Sequence, residues 1–143
     1  MGVPIGLTFD AGDPERLGTF WCLALGYMER PPPEGYDSWE QYDAANGTPG
    51  NEAGYSIVDP DGKGPSIFFQ PVPEPKTAKN RLHMDVRVSA GLAGASEEER
   101  RARIEAAVAP LVAAGATMRN RSTDPDDFFI VMLDPEGNEF CLV

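Results

Sequence analysis

Asp134-Pro135-Glu136-Gly137-Asn138-Glu139-Phe140-Cys141-Leu142-Val143 is the stretch from which the fold can be read, because its opening phrase occurs twice. Asp59-Pro60-Asp61-Gly62 comes first and leads through a short loop into an apolar run ending Phe69-Gln70-Pro71-Val72. The two phrases lie about half of the 143-residue chain apart, so the chain reads as two similar halves in tandem. Two half-sheets that pair edge to edge leave a cleft, and clefts at such junctions are where small ligands bind.

Working outward, the first half opens on a strand over Val3–Asp10, in which Ile5, Leu7 and Phe9 alternate with Gly6, Thr8 and Asp10. Asp13 is placed to cap a helix with Pro14 at its first position, and Gly26 to end it. Leu17, Phe20, Trp21 and Leu25 give that helix one apolar face. A short strand at 27–30 is broken by Pro31-Pro32-Pro33. Residues 34–53 are left open: a strand carrying Trp39, Tyr42 and Ala44 is one reading, and the stretch 46–50 is loop-like. Strands over 55–58 and 66–70 flank the Asp59–Gly64 turn.

The second half repeats this programme. Arg81–Val88 alternates, with Leu82, Met84, Val86 and Val88 on one face and His83, Asp85 and Arg87 on the other. Ser96 and Glu99 form a capping box. Ile104, Val108, Leu111 and Val112 form the helix's apolar stripe, and Gly115 is its stop. Strands follow at 116–118, 128–133 and 139–143. The expected fold is α+β: two tandem βαβββ modules forming a curved mixed sheet around a cleft, helices outside. Module one spans about 3–72, a proline-containing linker 73–80, and module two about 81–143, within a single domain.

The net charge of −11, from 23 acids against 12 bases, argues against nucleic acid and anionic membranes as partners. Met1-Gly2-Val3-Pro4 lacks the basic run and apolar core of a signal peptide, and no run reaches the ~18 apolar residues of a membrane helix. Two cysteines, Cys22 and Cys141, fit reduced thiols better than a disulfide framework, so a cytoplasmic protein is expected. Lys76, Lys79 and Arg81 read as a solubility or interface feature of the linker.

The duplicated unit, Phe20-Trp21 through Leu25-Gly26-Tyr27, the segment Lys79-Asn80-Arg81-Leu82-His83-Met84-Asp85 and the closing Asp134–Leu142 strand together resemble the vicinal oxygen chelate superfamily. This is the glyoxalase, bleomycin-resistance and dioxygenase group, and within it the motifs look like the glyoxalase-like domain family. The resemblance covers essentially the whole chain. It implies a divalent metal (Zn, Ni, Mn or Fe) held by one side chain from the first and last strand of each half, polarising vicinal oxygens of a substrate. It also allows a homodimer, with a monomer as the alternative.

Carried over residue by residue, those ligand positions fall on Gly6, Gln70, His83 and Cys141. Only His83 is a good match, and glycine cannot ligate. Glu139 lies two residues before Cys141 and should share its face. A metal site would therefore draw on His83, Gln70 and Glu139, with His83 and Glu139 as catalytic candidates. Against it stands the reading of His83, the only histidine, as a hydrogen-bonded cleft residue or a metal-free acid/base. Glu139 either competes with Asp85 for Arg87 or, in a partly dry site near His83, has a raised pKa and serves as a base. Arg87 is a candidate for binding an anionic substrate group. Gln70, Asp85, Arg87, Cys141, Phe68, Thr8 and Trp39 are expected to line the cleft. Tyr36, Trp39 and Tyr42 either stack on a flat ligand or pack over the sheet. Cys22 reads as a small core residue, and Cys141 as inert for want of an activating partner.

The first expectation is a small-molecule-binding protein with a degenerate metal site and no cofactor. The alternatives are a metal-assisted lyase, isomerase or dioxygenase-type enzyme acting on a small carbonyl or vicinal-dioxygen substrate, and an interaction module with a vestigial cleft. Glyoxalase I activity is not expected, because two of the four ligand positions are broken.

Overall fold

Both repeated phrases fold as the same aspartate-held turn. The Asp59 carboxylate accepts from the backbone N–H of Asp61 at 2.9 Å, Lys63 at 3.0 Å and Gly64 at 2.7 Å. Asp134 accepts from Glu136 N and Asn138 N, both at 2.9 Å, and from Asn138 Nδ2 at 2.8 Å. The glycine of each phrase has φ of +67° (Gly62) or +87° (Gly137), a region glycine enters without penalty. The repeat in sequence is thus a repeat in turn chemistry, in which one carboxylate satisfies the backbone donors that the bend strands.

This computed structural model describes residues 2–50, 52–124 and 126–143. The chain divides into two compact units, Met1–Pro75 and Lys76–Val143, each carrying one such turn. Each unit carries the βαβββ order on a four-stranded mixed sheet, the first with an additional helix between its second and third strands.

The first unit contains β1 (Leu7–Ala11), α1 (Pro14–Leu25), β2 (Met28–Glu29), α2 (Trp39–Asn46), β3 (Tyr55–Val58) and β4 (Ile67–Pro71). Its strand order is β1-β4-β3-β2, with β1 and β4 parallel and the other pairs antiparallel. β1 starts at Leu7 rather than Val3, because its ladder with β4 begins at the Leu7–Ile67 pair; Val3 and Ile5 remain exposed. α1 forms as its caps dictate: the Asp13 carboxylate accepts from Arg16 N at 3.1 Å, and Gly26 closes the helix at φ +69°. Its buried face, Leu17, Phe20 and Trp21, meets Phe9 and Phe69; the Phe9 ring lies 5.6 Å from Trp21 and 5.4 Å from Phe69. At Gly18 the helix passes so close to the Tyr55 ring that a Cβ would collide with it.

The strand reading left open for Trp39, Tyr42 and Ala44 is not the one adopted. They lie on α2, which Ser38 caps by accepting from Gln41 N at 3.3 Å and Gly47 ends at φ +71°. Its pattern is weak because no α2 residue is fully buried.

The second unit contains β5 (Met84–Val86), α3 (Glu97–Ala113), β6 (Thr117–Arg121), β7 (Ile130–Leu133) and β8 (Glu139–Leu142), ordered β5-β8-β7-β6. β5 and β8 are parallel, the other pairs antiparallel. β5 is shorter than the alternation over 81–88 predicts. Leu82 is exposed, and the chain turns after Val86, whose carbonyl accepts from Val88 N at 3.0 Å. The capping box of α3 is complete: Ser96 Oγ accepts from Glu99 N at 3.2 Å, and Ser96 N donates to the Glu99 carboxylate at 2.7 Å. Ile104 and Leu111 are buried, whereas Val112 turns outward and leaves the predicted stripe. The core gathers Val86, Ile104, Leu111, Ile130, Met132, Phe140 and Leu142. Among the described residues no helix is long and apolar enough to cross a membrane.

Candidate functional site

On β8 the side chains of Phe140 and Leu142 go into the core, so Glu139 and Cys141 take the opposite face. The β5–β8 ladder pairs Met84 with Phe140 and Asp85 with Cys141, which brings His83 beside Glu139. His83 Nε2 lies 2.9 Å from Glu139 Oε2. Of the two acceptors considered on this strand, Glu139 rather than Cys141 is therefore the neighbour of the histidine.

Two further cations reach the same carboxylate. Lys79 Nζ donates to Glu139 Oε2 at 2.5 Å, and Arg119 Nη1 donates to Oε1 at 2.7 Å. Asn80 anchors the Lys79 segment, its Oδ1 accepting from the backbone N–H of Glu139 at 3.2 Å. Arg119 sits where the β6–β7 register shifts between Met118 and Asn120. A bulge of this kind re-aims a side chain, and here the guanidinium reaches across to β8. The Glu139 side chain is only 5% exposed, whereas Lys79, Arg119 and His83 remain 57%, 54% and 39% exposed.

A carboxylate in this setting is held ionised. The Lys79 hydrogen bond is the largest cause lowering the Glu139 pKa; the charges of Lys79, Arg119 and His83 add to it, and burial opposes it without prevailing. This corrects the alternative in which Glu139 has a raised pKa and acts as a base. His83 Nε2 also lies 3.2 Å from Lys79 Nζ. It can donate to Glu139 or accept from Lys79, but one ring nitrogen cannot do both at once.

Arg87 joins neither Glu139 nor Asp85: among the described residues it forms no ion pair, and Glu139 is taken by the other three groups. Asp85 is exposed and pairs through the backbone with Cys141. The Cys141 thiol has its pKa pushed up by burial first, then by Asp85 and Glu139, as suits an inert thiol. Cys22 is half-buried, with a pKa raised by burial and by Glu29. Gln70 belongs to the first unit, exposed on β4 opposite Asp10, and Thr8 pairs there with Phe68. Trp39 donates its indole N–H to the Arg30 carbonyl at 2.7 Å and meets Tyr42 edge-on at 5.6 Å, so its cluster with Tyr36 is satisfied locally. A groove of about 430 Å³ elsewhere in the second unit is lined by Ser89, Arg101, Asp127 and Phe128. Arg101 stacks on Phe128 at 4.5 Å, and none of the Glu139 cluster lines that groove.

The donor set does not fit the divalent metal that the sequence resemblance implies. Among the described residues, no three His, Cys, Asp or Glu side chains converge as metal ligands. His83 and Glu139 are two, and the Glu139 carboxylate already carries an ammonium and a guanidinium that a metal ion would have to displace.

Sequence reasoning missed Lys79 and Arg119. Lys79 reads in the sequence as part of the linker's solubility or interface stretch; the signal for its role is its position four residues before His83, within the family-like segment. Arg119 had no local signal, since the bulge that aims it arises from strand register.

The glyoxalase-like domain family model matches residues 6–143. Among curated proteins no match is found. A glyoxalase/bleomycin resistance protein/dioxygenase family enzyme from Burkholderia phytofirmans superposes with a TM-score of 0.58 at 17% identity, covering 95% of this chain and 93% of its own. The fosfomycin resistance protein FosX from Mesorhizobium loti gives 0.56 at 14% identity, over 99% of this chain and 90% of its own. A FosX variant from Listeria monocytogenes, complexed with Mn(II) and 1S,2S-dihydroxypropylphosphonic acid, gives 0.56 at 13% identity, over 99% and 87%. These likenesses show a shared fold, and the family model spans nearly the whole sequence: the chain belongs to the glyoxalase-like domain family.

Proposed function

We propose that this chain is a small-molecule-binding protein whose second module carries a degenerate metal site, the ligand seating on the exposed side of the His83–Glu139 cluster without a resident metal. The observation that carries the reading is the occupation of Glu139 by Lys79 and Arg119. A strand position that could offer a carboxylate to a metal is instead neutralised by the protein's own cations. A FosX relative that binds Mn(II) and a small phosphonic acid supports small-molecule binding as a use of this fold, though not this ligand.

The test is a thermal-shift screen of small organic compounds against the untagged chain in EDTA. A ligand present at about 100 times its Kd stabilises by about 2.7 kcal/mol. The reading predicts compounds that raise the midpoint in chelator and lose the effect in Arg119→Gln. Stabilisation that appears only after a divalent ion is added would contradict it.

A second reading is favoured by one contact. His83 Nε2, between Glu139 Oε2 at 2.9 Å and Lys79 Nζ at 3.2 Å, is placed to hold or pass a proton, which suits a metal-free acid/base enzyme. Turnover of a ligand found by the screen, lost in His83→Ala with binding retained, would support it.

A further inference from the structure

The cluster around Glu139 has one positive charge too many. Lys79 and Arg119 contribute two, and the carboxylate cancels one. The chain as a whole carries −11, so this excess is local and runs against the global charge. The cations are also under-used. Arg119 spends one N–H donor on Glu139 and has no other partner among the described residues, although a guanidinium offers five. Lys79 gives one of its three donors to Glu139 and lies 3.2 Å from His83 Nε2, which leaves at least one donor outward. Both cationic side chains remain more than half exposed, while the carboxylate that gathers them is 5% exposed. A buried anion, an anchored Lys79 segment and a bulge thus hold two half-used cations in one place, which offsets the side-chain entropy that a surface lysine or arginine loses on being fixed.

Resting on the metal-free reading above, we infer that this site takes the carboxylate of a small organic monoanion, bound by the outward donors of Arg119 and Lys79 beside the His83 ring. With His83 neutral, as in the net charge of −11, a monoanion brings Lys79, Arg119 and Glu139 to neutrality, whereas a dianion overcharges them within an acidic protein. Arg119 supplies a planar fork that matches a carboxylate, and Lys79 a point charge at its edge.

His83 is the only histidine, so its ring signals in an NMR spectrum report on this site without assignment. The experiment titrates the full chain, at constant ionic strength, with acetate, with its neutral isostere acetamide, with inorganic phosphate and separately with Mn(II). Saturable movement of the histidine signals is expected with acetate, with half-saturation on the order of 1–10 mM for so small a probe. Acetamide should give none, and phosphate weaker binding than acetate. Arg119→Gln should abolish the response, with the amide spectrum confirming that the fold persists, and Lys63→Gln should leave it unchanged. Glu139→Gln, which removes the buried anion that fixes both cations, should weaken acetate binding while the fold persists. No saturable acetate response, or an equal response to acetamide, would overturn the carboxylate assignment alone. Mn(II) broadening the histidine signals at stoichiometric concentration would overturn the metal-free reading on which it rests.

Discussion

Glu139 couples the site to folding, because its charged form is stabilised in the folded chain by Lys79, Arg119 and His83. Its native pKa is below the unfolded value of about 4.3. Its contribution is therefore fully present above that value and is lost as pH falls through the native pKa. Urea melts at stepped pH should show wild-type stability falling more steeply than that of Glu139→Gln from about pH 5 downward; parallel profiles would mean the ion pairs contribute nothing. Asp134 works on a different part of the same strand entry. It is 3% exposed and accepts three hydrogen bonds, so Asp134→Ala strands their donors and should cost about 2–3 kcal/mol by denaturant midpoint. Asp59→Ala should cost less, because the turn it holds is more open to water. These aspartates were legible in the sequence as turn markers. Glu139 was legible as a neighbour of His83, but its charge state was not, because that depends on cations 60 and 20 residues away.

Among the elements, the capped helices were the most readable, since a cap is a contact between residues two or three apart. Ser96→Ala should cost about 1 kcal/mol through loss of the capping box, read as a lower thermal midpoint. Gly18→Ala tests the packing of α1 on β3: the added methyl meets the Tyr55 ring, and overpacking of this kind costs about 1–3 kcal/mol. A neutral or stabilising result would show that α1 can withdraw from the sheet. Strand ends were less readable because a partner sets them. Ile5 continues the alternation of β1 and Leu82 that of β5, yet both are exposed beyond the ladders. α2 is not legible in the sequence because its pattern reflects local caps and aromatic contacts rather than burial. The Arg119 bulge lies in the pairing of β6 with β7, a register that no local pattern encodes.

For the molecule as a whole, the duplicated turn and the His83 strand were enough to identify the family, because a tandem repeat constrains topology more than any single motif does. The chemistry of the site was only half legible. The sequence contained a histidine at a metal-ligand position and an acid two residues short of one, and the fold brings two cations onto the acid. The metal-free reading proposed above rests on Lys79 and Arg119 occupying the Glu139 carboxylate. Elemental analysis of the untagged chain, after equilibration with manganese, zinc, nickel and iron and in parallel with His83→Ala, tests it directly. No stoichiometric metal is expected in either protein; one metal ion per wild-type chain, absent from His83→Ala, would contradict the metal-free reading.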